Sequence, residues 1–137
     1  KYGEILLNTE GNTPLWEGGS ICCNRIQRNE GSFAKMLKSI SPKDFEQIIN
    51  QDELDGAVVR FRKSGDYFHA FGGGRKKLKD WMIDKKIPRE WRDSVPVIAK
   101  GSEVLWVIGE AISQKLRVDE NTINPVRIKF INRTEGK

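Results

Sequence analysis

Short apolar runs separated by glycine-containing turns recur along this chain of 137 residues. The clearest pair, residues 95–99 and 103–108, flanks Lys100-Gly101-Ser102, and this arrangement predicts a β-hairpin. Six further segments are predicted as strands for the same reasons: residues 2–7, 20–27, 57–62, 67–71, 115–118 and 126–131. A chain with so many short strands must bury them in one or more sheets.

Helical signals first appear between residues 33 and 50. The apolar residues of segment 33–40 have helical spacing and predict a short helix. Ser41 followed by Pro42 is typical of a helix start, so residues 42–50 are predicted as a second helix. Its buried face would consist of Phe45, Ile48 and Ile49.

Two more helices are predicted in the second half of the chain, at residues 76–86 and 88–93. The first has an apolar stripe at positions i, i+3 and i+4, formed by Leu78, Trp81 and Met82. The second begins at Pro88 and has Trp91 as its core anchor. The predicted fold class is therefore α+β, a strand-rich mixed domain with short helices near 42–50, 76–86 and 88–93.

Positive charge is concentrated in residues 72–92, which contain eight Lys or Arg and three acidic residues. The whole chain carries a formal net charge of +5, so the remaining residues are balanced. A clustered basic patch favours a polyanionic partner such as nucleic acid. The alternative is a solvated helix face without a ligand.

The glycine triplet at residues 72–74 precedes the basic residues and is predicted as a hinge-like helix entry near nucleic-acid phosphate. No Ser or Thr follows the lysines, so the segment lacks the phosphate-loop pattern of nucleotide hydrolases. Lys77 receives less weight as a contact because its neighbour Leu78 is predicted to pack. The predicted nucleic-acid contacts are Arg75, Lys76, Lys79, Lys85, Lys86, Arg89 and Arg92.

Neither a catalytic set nor a metal site is predicted. His69, the only histidine, lies in an aromatic stretch and is interpreted as a strand residue near the sheet surface. Cys22 and Cys23 are adjacent, which disfavours a disulfide between them and predicts reduced thiols in a cytoplasmic setting. No apolar run is long enough for a membrane span. A chain that starts at Lys1 is expected to be a mature chain or a fragment.

Several motifs occur in an order that is similar to one family. They are Val59-Arg60-Phe61-Arg62-Lys63-Ser64-Gly65-Asp66, Gly73-Gly74-Arg75-Lys76-Lys77-Leu78-Lys79-Asp80, Asp84-Lys85-Lys86-Ile87-Pro88-Arg89-Glu90 and Leu105-Trp106-Val107-Ile108-Gly109. Together with Lys115-Leu116-Arg117-Val118, they make residues 52–131 resemble the C-terminal domain of bacterial tRNA(Ile)-lysidine synthetase.

The resemblance implies a module of a ligase that uses ATP to attach lysine to the wobble cytidine of an isoleucine tRNA. The family's catalytic Ser-Gly-Gly-x-Asp-Ser loop is not in this sequence. ATP and magnesium are therefore expected in a catalytic domain of the same polypeptide, and no cofactor is expected in this chain. The implied role is non-catalytic binding of tRNA on its acceptor-stem side.

The resemblance also implies a fold similar to a domain of the phenylalanyl-tRNA synthetase β subunit. It divides the chain into a variable part, residues 1–50, a tRNA-binding domain, residues 51–132, and a frayed tail, residues 133–137. Whether the parent enzyme forms a homodimer is left open. The alternative function is a protein-interaction module with a solvated basic face that docks on a catalytic domain.

Overall fold

The computed structural model describes residues 3–26, 33–119 and 121–132. Within these residues the strands are β1 Ile5–Leu6, β2 Asn12–Pro14, β3 Ser20–Arg25, β4 Glu46–Asn50, β5 Val58–Arg60, β6 Tyr67–Ala70, β7 Gly74–Lys77, β8 Val97–Lys100, β9 Glu103–Val107, β10 Ala111–Ile112 and β11 Pro125–Ile131. The helices are α1 Phe33–Lys38 and α2 Leu78–Asp84, and 3₁₀ turns occur at Trp16–Gly18, Gln51–Leu54, Arg89–Trp91 and Gln114–Leu116. The α+β prediction and the short helix within 33–40 are confirmed.

The strands form two sheets. The larger has the order β1-β5-β8-β9-β6-β7, with β10 also paired to β9, and the smaller has the order β2-β3-β11-β4. All pairs are antiparallel except β6 with β9. The predicted hairpin around Gly101 is confirmed as β8–β9, with a register shift that leaves Leu105 as an extra residue on β9.

Two hydrophobic cores lie on the two faces of the larger sheet. Ile98 and Trp106 belong to the core shared with the smaller sheet, while Val97 and Val107 belong to the core under α2. This alternation follows from the two-residue period of a strand. The predicted stripe of α2 is confirmed, since Leu78, Trp81 and Met82 are buried in the second core. The larger sheet is therefore the middle of three layers.

The prediction of a helix at 42–50 is wrong. Ser41 and Asp44 form a closed turn, in which the Asp44 carboxylate accepts a hydrogen bond from the Ser41 N–H at 2.9 Å. Residues 46–50 then pair with β11 as strand β4. Ile48 and Ile49 are both buried, on opposite faces of that strand, whereas Phe45 is 49% exposed. Pairing with a distant strand outweighs the local helix-start signal.

The helices predicted at 76–86 and 88–93 are only partly correct. Lys76 and Lys77 belong to β7, so the glycine triplet enters a strand and not a helix. The second segment contains a single 3₁₀ turn, and Trp91 is 61% exposed. Ile87 occupies the second core beside α2, so the prediction of Trp91 as a core anchor is wrong. A three-residue turn offers too little surface to bury a large ring.

The strand predicted at 115–118 is also wrong. The segment forms a 3₁₀ turn, and the Ser113 side chain accepts a hydrogen bond from the Lys115 N–H at 3.1 Å. Leu116 is buried in the first core beneath this turn. Neither described helix is long and apolar enough to cross a membrane.

Strand β11 joins the beginning of the chain to its later part. It pairs with β3 through Val126 and Arg25, and with β4 through Val126 and Ile49. Residues on both sides of position 50 therefore share one sheet and one core. Residue 27 of the predicted strand 20–27 and the predicted tail 133–137 lie outside the described residues.

Candidate nucleic-acid interface

The basic residues predicted as contacts begin on the hairpin of β6 and β7. Gly72 and Gly74 have φ values of 71° and 69°, which a side chain rarely tolerates, so glycine allows this turn to reverse. Strand β7 then forms the edge of the larger sheet and, among the described strands, pairs only with β6. Arg75 lies opposite His69, and Lys77 lies opposite Tyr67. Side chains on an edge strand of this kind are accessible to a ligand.

Lys76 points to the opposite face from its neighbours on β7, because successive strand residues alternate. It lies opposite Phe68, on the side of the sheet that α2 covers. Its ammonium group contacts the carboxylate of Asp84 near the end of α2. Lys79 is exposed on the first turn of the same helix. Strand and helix together thus distribute the cations over two faces.

A basic groove runs between the turn at residues 62–66 and the segment that joins β7 to α2. Its volume is about 920 Å³. Six of its residues are cationic and two are acidic, which makes the groove electropositive. The groove is lined by Arg62, Lys63, Ser64, Gly65, Asp66, Tyr67, Arg75, Lys76, Lys77, Leu78, Lys79 and Asp93.

A buried ion pair supports this groove from below. The Arg60 guanidinium donates two hydrogen bonds to the Asp66 carboxylate, both at 2.9 Å, and a third to the carbonyl of Gly101 at 2.8 Å. The same carboxylate accepts the N–H of Lys63, and the Asp66 carbonyl accepts the N–H of Leu78. Asp66 therefore fixes the turn at 62–66 against the start of α2.

Several groove cations already have acidic partners. Arg62 Nε lies 2.7 Å from Asp93, and Lys63 Nζ lies 2.5 Å from Glu4, whose carboxyl pKa is lowered by that lysine. The two carboxylates are exposed, and ion pairs of this kind contribute little to stability. Within the described part of the chain, the following residues form no ion pair: Arg75, Lys77, Lys79, Lys85, Lys86 and Arg89.

The predicted contact residues fall into three groups. Arg75, Lys76 and Lys79 meet at the basic groove, together with Lys77, which the sequence interpretation gave less weight. Lys85, Lys86 and Arg89 are exposed beyond the end of α2. Arg92 is half-buried, and its Nε donates to the Ile87 carbonyl at 3.0 Å, which gives it a structural role.

Sequence reasoning missed two cations of the groove, Arg62 and Lys63. They follow β5 and reach the groove because the turn at 62–66 folds back toward β7. The available signal was the sequence Arg-Lys-Ser-Gly-Asp, in which a basic pair precedes a turn. The distance along the chain to Arg75 concealed their proximity.

His69 takes part in a charged cluster and not in a nucleophile–base pair. Its Nδ1 lies 3.1 Å from Glu103 Oε2, and Lys115 Nζ lies 2.8 Å from the same oxygen. The hydrogen bond to Glu103 raises the pKa of Lys115. Burial raises the pKa of the Cys23 thiol to about 11, which disfavours a nucleophilic thiolate. No group of three or more possible metal ligands occurs among residues 3–26, 33–119 and 121–132.

An apolar cleft of about 740 Å³ lies on another side of the domain, between the end of β6, α2, β10 and the segment that leads into β4. Phe68, Phe71 and Trp81 contribute aromatic surface to it, and Lys85 and Arg117 add positive charge. Phe71 is 53% exposed at the hairpin turn. This cleft shares no lining residue with the basic groove.

Comparisons with protein families and curated proteins agree with one another. A family model described as TilS substrate C-terminal domain matches residues 57–128. The tRNA(Ile)-lysidine synthase of Clostridium tetani (strain Massachusetts / E88) is 41% identical over 133 residues, which cover 95% of this chain and 28% of that protein. The tRNA(Ile)-lysidine synthase of Caldanaerobacter subterraneus subsp. tengcongensis is 39% identical over 108 residues, covering 73% of this chain and 23% of that protein. The chain therefore spans less than a third of the length of these two relatives.

A solved structure, described as a crystal structure of the TILS C-terminal domain, is also similar. Its TM-score is 0.67, and the match covers 96% of this chain and 97% of that chain. The sequence identity is 24%, so this similarity concerns the fold.

Proposed function

This chain belongs to the family of TilS substrate C-terminal domains, and from that premise we propose that it is the non-catalytic tRNA-binding module of a tRNA(Ile)-lysidine synthetase. The module holds the acceptor-stem side of the tRNA while a catalytic domain of the same polypeptide ligates lysine to the wobble cytidine. ATP and magnesium act in that catalytic domain, and the enzyme works in the cytoplasm, where tRNA is modified.

The basic groove and the exposed cations beside it carry the proposal. Lys77 and Lys79 lie at the groove without an acidic partner among the described residues, and Lys85 and Lys86 continue the positive surface beyond α2. Lysine and arginine contacts to phosphate supply affinity and register for a nucleic acid. They carry no base identity by themselves, so this surface positions a tRNA and does not select it.

A rigid support makes the groove suitable for positioning. The turn that bears Lys63 is held by the buried pair of Arg60 and Asp66, and α2 is anchored by its apolar stripe. Cations on rigid elements lose less conformational freedom on binding than cations on mobile loops. The charged side chains can therefore meet phosphates in a defined arrangement.

The salt dependence of tRNA affinity tests the proposal. If four phosphates are neutralised, the logarithm of the binding constant should fall with the logarithm of salt concentration with a slope of roughly −3 to −4. A Lys76/Lys79/Lys85/Lys86 alanine variant should bind more weakly and show a shallower slope. A matched quadruple-alanine control replaces four lysines that are exposed outside the groove: Lys38, Lys43, Lys100 and Lys129. An affinity independent of salt, or equal in both variants, would refute tRNA binding by this surface.

Docking on the catalytic domain is a second candidate function. The apolar cleft and the exposed ring of Trp91 favour it, since large apolar groups on a surface often mark a protein contact. This function predicts that the isolated chain binds tRNA weakly and binds the separately produced catalytic domain. Titration calorimetry with each partner distinguishes the two functions.

A further inference from the structure

We propose that Arg75, supported by Tyr67, forms a stacking surface for an unpaired base of the bound RNA. The inference rests on the proposed tRNA-binding function and adds that the interface receives a single-stranded nucleotide besides duplex phosphates. The central observation is that the Arg75 guanidinium carbon lies 3.9 Å from the centroid of the Tyr67 ring. This separation corresponds to direct contact between the cation and the ring.

The Tyr67 ring is held in a fixed position beneath the Arg75 side chain. It belongs to β6, its N–H donates to the Ser102 carbonyl at 2.9 Å, and it pairs in register with Lys77 on one side and Glu103 on the other. The Tyr67 ring is half-buried, whereas Arg75 is exposed. One side of the guanidinium therefore lies against the ring, and the other side faces the solvent.

The exposed side of Arg75 has the chemistry of a base-binding surface. A planar guanidinium stacks on aromatic rings, and arginine and aromatic side chains are common supports for unstacked RNA bases. Among the described residues no carboxylate forms an ion pair with Arg75, although several neighbouring cations have one. The side chain is thus held in place by the ring, and its charge is not neutralised.

Phosphate-binding groups lie beside this stacking surface. Lys77 follows Arg75 by two residues on β7 and lies on the same face, so the two Cα atoms are about 7 Å apart. Both residues line the basic groove. A base stacked on Arg75 would therefore have its phosphate next to exposed ammonium groups. Bases inside a duplex are already stacked on one another, so only an unpaired nucleotide can occupy this position.

At its turn the same hairpin presents a second aromatic ring beside a guanidinium, on the apolar cleft and not in the basic groove. Phe71 is 53% exposed at the turn, and the Arg117 guanidinium carbon lies 5.9 Å from its ring centroid. Alternation of aromatic and cationic groups is a feature of surfaces that bind single strands. The hairpin of β6 and β7 therefore resembles a single-strand contact more than a purely ionic patch.

The test uses an RNA stem-loop with a 3′ overhang of four unpaired nucleotides, and a second stem-loop whose overhang is abasic. The two probes have equal numbers of phosphates, so a difference in affinity reports on the bases. Fluorescence anisotropy with the whole 137-residue chain should give at least about fivefold tighter binding of the base-bearing overhang. Arg75→Lys keeps the positive charge and removes the planar guanidinium. It should therefore abolish the difference between the probes and leave the affinity for the abasic probe nearly unchanged.

Arg25→Lys is the matched control, because Arg25 is exposed on β3, outside the groove. It should preserve the difference between the probes, and Tyr67→Leu should reduce it. Equal affinity of the wild-type chain for both probes overturns the stacking proposal while leaving tRNA binding intact. An equal loss for both probes in Arg75→Lys also overturns it, because the arginine then acts as a phosphate contact. No binding of either probe overturns the proposed function and this inference together.

Discussion

Replacing Asp66 by alanine should severely destabilise the domain, because it leaves the Arg60 guanidinium buried without its carboxylate. Arg60 and Asp66 are 2% and 5% exposed, so water cannot take over the lost contacts without opening the structure. The variant retains the hydrogen bonds from Arg60 to the carbonyls of Phe61 and Gly101, and a long ion pair of 3.9 Å from Arg60 Nε to the half-exposed Glu4 carboxylate. Removing one partner of such a buried pair costs about 3–5 kcal/mol of unfolding free energy.

Urea unfolding followed by circular dichroism measures this loss directly. In a thermal scan the midpoint should fall by roughly 10–20 °C, since each kcal/mol corresponds to a few degrees in a domain of this size. Asp93→Ala is the matched control, because it breaks an arginine–aspartate pair of 2.7 Å in which the aspartate side chain is 79% exposed. That control should cost only about 0.2–1 kcal/mol.

The double substitution Arg60→Met/Asp66→Leu distinguishes the contribution of the ion pair from the cost of leaving one charge buried without a partner. Replacing both partners with apolar residues of similar volume removes the charge as well as its partner, so most of the stability should return. A loss below about 1 kcal/mol in Asp66→Ala would refute the reasoning, because the guanidinium would then have another way to be solvated.

Three further predictions concern glycine, cysteine and tryptophan. Gly109 and Gly56 have φ values of 83° and 80°, but of the two only Gly109 would place a Cβ 2.8 Å from a ring carbon, that of Phe45. Gly56→Ala should therefore lower the unfolding free energy by about 1 kcal/mol, and Gly109→Ala should lower it by more. Urea unfolding of both variants measures the difference. Burial raises the pKa of Cys23 from 9.0 to about 11, so mass spectrometry should show that this thiol resists iodoacetamide at pH 8 in the folded protein. Because the unfolded chain releases the thiol proton at a lower pH than the folded protein, the unfolding free energy should fall as the pH rises from 9.0 to about 11. Trp81→Ala should cost about 3–5 kcal/mol, and Trp91→Ala less than about 0.5, because the two rings are 3% and 61% exposed.

Periodicity predicted the elements whose burial follows from local spacing. The stripe of Leu78, Trp81 and Met82 and the hairpin around Gly101 were both correct, because each element carries its own pattern and its own turn. The same reasoning failed where the deciding partner lies far along the chain. Ile48 and Ile49 are in a strand because β11 pairs with them, and nothing near Ser41 indicates that strand.

In the candidate site, too, features with a local signal were predictable and features that depend on distant contacts were not. The cluster at Arg75, Lys76 and Lys79 is visible in the sequence, because charge concentrates there and nowhere else. The supporting pair of Arg60 and Asp66 is not visible, because alternation along β5 indicates only that Arg60 faces away from Val59. The partners that enclose the guanidinium are Asp66 in the turn at 62–66 and the Gly101 carbonyl of the β8–β9 hairpin, and strand alternation does not indicate those contacts.

The central place of β11 in the smaller sheet has a consequence for the order of folding. Its partners on β3 and β4 precede it by about 100 and 77 residues, as the pairs of Val126 with Arg25 and with Ile49 indicate. During synthesis β3 and β4 therefore emerge early and cannot complete their sheet until β11 follows. Contacts of such long range slow the folding of a domain. The hairpin of β6 and β7, whose contacts are local, can form much earlier, so this basic hairpin is expected to form before the smaller sheet is complete.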